Sequence, residues 1–276
     1  MKNRIIVAVI FLPLLIITIL FLPPFVFCYV ITFICIVSAY EILTAAGTAK
    51  ENRFFLICAV LAAGAIPVWA HFFGSDTLFL MAALLVLMCF VFIIAALTYK
   101  TGKNITFTQI LTAFFGGILI PFLLSSLINM RNMQEGRLIV LLPVISAFIT
   151  DAGAYFTGVF LGRHKAFPNI SPKKTVEGYI GGLITGAAFI VLYGLVLDIT
   201  TTFEIKYWAL IIYGIVGAVV TELGDLAFSL IKRELDVKDY GRLFPGHGGM
   251  LDRFDSMVFA APVMYLLVLA FPAVIV

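Results

Sequence analysis

Charge is scarce in this chain. Asp, Glu, Lys and Arg supply 12% of its 276 residues and apolar residues 63%, against roughly a quarter and a half in soluble domains. A soluble fold of this length has too little interior to hide that surface, so the composition calls for lipid as solvent. Lipid removes the hydrophobic drive between helices, which must then pack by shape, small residues and polar contacts; the 22 glycines suit that demand. Basic runs are absent and the net charge is only +3, which excludes nucleic acid as a partner. Cysteines number four, with no C-x-x-C pair, and Cys28, Cys35, Cys58 and Cys89 all sit in apolar runs. They read as small buried hydrophobes, not as metal ligands or disulfides. The two-residue alternation of a membrane barrel is missing too, leaving helices as the spanning element. No internal repeat is visible, which argues against a transporter built from inverted halves.

What the chain does have is apolar runs of spanning length, at about 5–22, 25–43, 54–73, 77–98, 107–128, 137–160, 176–197, 207–231 and 254–275. Each approaches the roughly 20 residues a helix needs to cross the hydrocarbon. The expected fold is therefore all-α, a polytopic integral membrane bundle of about nine transmembrane helices. Lys2 and Arg4 precede the first run, as in a signal peptide, but no small-x-small cleavage site follows, so 5–22 is read as a retained helix. With nine spans, fifteen Lys and Arg fall on the N-terminal side and only Arg131, Arg137 and Lys206 on the other. The positive-inside rule then predicts a cytoplasmic N-terminus and an outside C-terminus in the inner (plasma) membrane. Residues 1–130 read as scaffold helices and 131–276 as the catalytic domain, because the long polar loops at 161–176 and 232–253 share the cytoplasmic side.

Carboxylates inside spans are costly and need a reason. Asp151 lies in the sixth run. Glu222 and Asp225 lie three apart in the eighth, on one helical face, and Asp252 and Asp255 share that spacing where the ninth begins. Oxygen ligands without histidine or cysteine suit a hard cation such as Mg2+, with room for a second ion. Structural ion pairs with Lys232, Arg233 or Arg253 are the alternative. Glu41, near the end of the second run, reads as a solvated interfacial residue.

The segment 244–255 is the densest feature. Gly246, Gly248 and Gly249 surround His247 and free the backbone for close approach to a ligand. Successive N–H groups in such a turn can cradle phosphate oxygens, and Lys232, Arg233, Lys238 and Arg242 can neutralise them. The other polar loop carries Ser171, Pro172, Lys173, Lys174 and Thr175. Its lysines suit either attraction to anionic lipid or phosphate binding, which coincide if an anionic lipid is the substrate.

Ser229-Leu230-Ile231-Lys232-Arg233, Lys238-Asp239, Pro245-Gly246-His247-Gly248-Gly249 and Asp252-Arg253-Phe254-Asp255 together closely resemble the signature of phosphatidate cytidylyltransferases, also called CDP-diacylglycerol synthases. The regions around Asp151 and from Ser171 to Gly178 look similar as well. The resemblance covers about 145–260, without departure from the signature. It implies that CTP and phosphatidic acid give CDP-diacylglycerol and pyrophosphate, with a divalent metal and a homodimer. It also associates Asp225 and Asp252 with the metal centre.

On that reading the phosphatidate phosphate attacks the α-phosphorus of CTP in line, and positioning with charge neutralisation supplies the catalysis. The expected catalytic residues are Asp225, Asp252, Lys173, Lys174, Lys232 and Arg233. Metal binding falls to Asp225 and Asp252, with Asp255 and Glu222 in support. Substrate contacts fall to Ser171, Thr175, Ser229, Lys238, Gly246, His247, Gly248, Gly249 and Arg253. Two other chemistries share some of these features: a CTP-dependent lipid kinase that transfers the γ-phosphate, and a cation or proton transporter using the buried acids as a relay.

Overall fold

The computed structural model describes residues 13–48, 53–74, 106–244 and 248–275, with isolated positions between 85 and 96. Among these residues, seven helices are long and apolar enough to cross a membrane. They coincide with seven of the nine runs expected from sequence. The run at 77–98 lies almost wholly outside the described residues, as does the first part of 5–22, which is helical from 13 to 21. The last span is shifted: it runs from Leu251 to Ala270, so the Asp252-to-Asp255 element is helical from its first residue.

The chain forms two compact units, 1–129 with 239–253, and 130–238 with 254–276. In the first unit, α1 (Pro24–Ala45) starts with proline at its first position, where a missing N–H costs nothing. Helix α2 (Arg53–Phe73) carries Pro67 inside it, and the Cys28 thiol donates to the Pro67 carbonyl at 3.6 Å. Helix α3 (Phe107–Phe114) opens with a capping box in which Thr106 and Gln109 satisfy each other's backbone N–H. It continues through a π-helical turn (Phe115–Leu119) into α4 (Ile120–Arg131). At that turn the backbone runs against its neighbours: a Cβ on Gly117 would lie 2.8 Å from the Ala59 carbonyl oxygen.

The second unit holds α5 (Gly136–Ile139), α6 (Leu141–Leu161), the strands β1 (Lys165–Phe167) and β2 (Ser171–Thr175), α7 (Val176–Thr200), β3 (Glu204–Ile205), α8 (Tyr207–Glu234), most of α9 (Leu251–Ala270) and β4 (Val274–Ile275). The all-α expectation holds apart from two small antiparallel ribbons, β1–β2 and β3–β4. Helices α6 and α7 pack through interlocked small residues: Gly153 faces Thr185, and Gly181 faces Thr157. Close backbone approach of this kind replaces the hydrophobic drive that lipid removes. Tyr213, fully buried on α8, donates to the Phe271 carbonyl at 2.5 Å and so ties the end of α9 to the bundle.

Candidate functional site

Strand β2 hands over to α7 at Thr175, whose hydroxyl accepts the Gly178 N–H at 3.1 Å. This N-cap fixes where the lysine pair ends and the membrane helix begins. Lys173 and Lys174 then line a cavity of about 370 Å3 with Asp151, Tyr179, Glu222 and Asp225. The Lys174 ammonium pairs with the Asp225 carboxylate and stands 5.3 Å from the Tyr179 ring centre. Burial pushes the Lys174 ammonium below the usual lysine range, and Lys232 adds to this, while Asp151, Asp255 and Glu222 act to keep it protonated.

One more carboxylate, that of Asp255, joins through α9. Ser256 donates its hydroxyl to Asp151 at 2.8 Å and lies 3.3 Å from an Asp255 oxygen. Lys232 Nζ is 3.9 Å from the other Asp255 oxygen. Four carboxyl groups, of Asp151, Glu222, Asp225 and Asp255, thus gather around the ammonium groups of Lys173, Lys174 and Lys232. Among the described residues, the buried oxygen atoms Glu222 Oε1, Thr150 Oγ1 and Tyr179 Oη find no hydrogen-bond partner. Unpaired buried polar atoms are rare and call for a ligand or ion. Arg233 is engaged differently: its Nε donates to the Ile170 carbonyl at 3.1 Å, holding the β1–β2 turn.

The first unit contains the glycine-rich segment. Asp252 is 6% exposed and accepts the N–H groups of Tyr240 and Gly249, both at 2.9 Å. Gly248 has a left-handed backbone (φ 83°), and a Cβ there would lie 2.7 Å from the Asp252 carboxylate. Both constraints demand glycine. Phe244 N–H donates to the Gly248 carbonyl at 2.9 Å, closing the turn. Gly246 and His247 lie outside the described residues.

Of the residues expected from sequence, Lys173, Lys174, Glu222, Asp225, Lys232 and Asp255 come together in the second unit. Thr175 is present there as a helix cap, and Ser229 is buried one turn beyond Asp225 on α8. Ser171 opens β2. Lys238 and Arg253 are exposed. Glu41 corrects its expectation. It is 5% exposed, because its carboxylate accepts two backbone N–H groups, from Met250 and Leu251. Sequence reading passed over Thr150, Tyr179 and Ser256 as site residues, since a hydroxyl in an apolar helix usually bonds its own backbone.

The donor set consists of carboxylate and hydroxyl oxygens, which suits a hard divalent cation. Among the described residues, no group of three or more His, Cys, Asp or Glu side chains stands at metal-holding distance.

The second unit is thus a bundle of apolar helices in which paired lysines and carboxyl groups line one cavity. The chain belongs to the Cytidylyltransferase family, whose model matches residues 2–271. Phosphatidate cytidylyltransferase of Bacillus subtilis is 34% identical over 207 residues, 75% of this chain and 74% of that protein. The protein of the same name from Staphylococcus saprophyticus is 43% identical over 139 residues, 50% of this chain and 52% of its own length. That of Staphylococcus aureus is 39% identical over the same length. The chain thus spans about half the length of the staphylococcal relatives it matches. The apolar helices and bacterial relatives make it a multi-pass inner-membrane protein.

Proposed function

We propose that this chain transfers CMP from CTP to phosphatidic acid, giving CDP-diacylglycerol and pyrophosphate. The observation that carries the reading is the cavity lined by Lys173, Lys174, Glu222 and Asp225. It offers ammonium groups for phosphate oxygens and carboxylates for a cation in one membrane-embedded site. Relatives matched over half to three quarters of their length bear the corresponding name.

In the reaction a phosphatidate phosphate oxygen attacks the α-phosphorus of CTP. A new P–O bond forms as the α–β bridging bond breaks, and its electron pair leaves with pyrophosphate. The nucleophile is already an anion, so no general base is required. Lys173, Lys174 and Lys232 neutralise phosphate oxygens, and preorganised charge of this kind is the main catalytic lever in phosphoryl transfer. Gly248 and Gly249 stay substrate-contact assignments from the signature, with the Gly249 N–H held by Asp252. Ser171, Ser229, Lys238, Arg253, Gly246 and His247 remain substrate-contact assignments from the signature.

We assign Mg2+, with room for a second cation, to Asp225, Glu222 and Asp255, and retain Asp252 on its place in the signature. The gathering of carboxyl oxygens, with the buried Glu222 Oε1 left unpaired among the described residues, supports a divalent ion. Such an ion would neutralise charge developing on the phosphates. A homodimer, a cytoplasmic N-terminus and site, and an outside C-terminus complete the proposal, resting on the family resemblance and on the fifteen-to-three split of basic residues.

Purified protein in detergent, given CTP, phosphatidate and Mg2+, should release pyrophosphate only when all three are present. Pyrophosphate release that does not depend on phosphatidate would refute the assignment.

A further inference from the structure

Glu41 takes no part in the chemistry above, yet it is the most unusual residue of α1. Its carboxylate is buried in the last turns of an otherwise apolar membrane helix, a costly location without compensation. The compensation is two backbone donors: Met250 N–H at 3.0 Å to one oxygen and Leu251 N–H at 2.9 Å to the other. Leu251 begins α9, where the first N–H groups have no acceptor within the helix. Glu41, more than two hundred residues earlier in the chain, supplies that acceptor.

Two glycines of the same segment are fitted to this carboxylate. A Cβ on Gly241 or on Gly249 would collide with Glu41. Asp252 meanwhile holds Tyr240 and Gly249 by their N–H groups. Between them, Glu41 and Asp252 fasten the segment at Tyr240 and again at Gly249, Met250 and Leu251. A glycine-rich segment left free would lose much conformational entropy on closing around a ligand. Fastening it beforehand lowers that cost.

We infer that Glu41 is a positioning residue for the nucleotide: it holds 239–244 and 248–251 in the conformation that receives the triphosphate. This rests on the proposed function, since only that reading puts CTP phosphates on the segment. Glu41 touches no reacting atom. Its loss acts on CTP affinity and leaves phosphatidate alone.

The test compares Glu41→Gln and Glu41→Asp with the unaltered chain in detergent, by hydrogen exchange and by steady-state kinetics. Gln opposes one N–H with its own NH2, whereas Asp keeps two acceptor oxygens. A hydrogen bond to a charged group is commonly worth about 1.5–3 kcal/mol, so amide exchange within 239–244 and 248–251 should rise about tenfold or more in Glu41→Gln. KM for CTP should rise by a similar factor, with KM for phosphatidate unchanged and partial recovery in Glu41→Asp. Unaltered exchange at 239–244 and 248–251, an equal rise in both KM values, or a loss of protection across all helices in both variants would each overturn the inference. If the unaltered chain makes no CDP-diacylglycerol, the proposed function falls, while the exchange result still decides whether Glu41 holds the segment.

Discussion

The hydroxyl of Ser256 donates to the carboxylate of Asp151 at 2.8 Å, across a separation of 105 residues. This single bond joins α6 to α9 within the second unit and sets Asp151 beside Asp255. Neither a spacing nor a motif in the sequence announces it.

Ser256→Ala should therefore cost more than a lost hydroxyl. It removes a donor from a half-buried acid, and an acid left short of donors destabilises by about 1–3 kcal/mol. Thermal unfolding in detergent should fall for Ser256→Ala and recover in Ser256→Thr, which keeps the hydroxyl.

Asp225→Asn should lower kcat/KM by about a hundredfold or more while the protein stays folded, because preorganised charge is lost but volume is not. The Lys174–Asp225 pair predicts that Lys174→Met is as damaging as Asp225→Asn. It also predicts that the double variant is little worse than either single one, since both act on one unit. Full additivity in a steady-state assay would show that the two side chains work separately.

Gly248→Ala places a methyl group in a left-handed backbone and 2.7 Å from the Asp252 carboxylate. Backbone strain of about 1–2 kcal/mol is expected, so the segment should shift. Activity should fall more than thermal stability, as measured side by side on one preparation.

Chelation tests the assignment of Mg2+. EDTA should abolish turnover and added Mg2+ should restore it, with no change in the helical content read by circular dichroism. Activity that survives exhaustive chelation would remove the metal from the account.

Much of this architecture was legible beforehand because lipid imposes a simple rule: an apolar run of about 20 residues becomes a helix. That rule located α1, α2 and α6 to α9, and the three-residue spacing put Glu222 and Asp225 on one face of α8. It could not find the β1–β2 hairpin, where Lys173 and Lys174 become strand residues held by the Thr175 cap and the Arg233 bond to Ile170. Nor could it assign Glu41, since a lone acid near a helix end looks interfacial until its partners, Met250 and Leu251, are known. Local rules read elements well; side chains that bridge distant elements are written in no single window of sequence.

The central claim concerns which phosphorus of CTP reaches the lipid, and parallel reactions with α-labelled and γ-labelled CTP decide it. The account predicts α-label in the lipid product and γ-label in pyrophosphate. Label from the γ-position in the lipid, with CDP released, would contradict it and identify a lipid kinase instead.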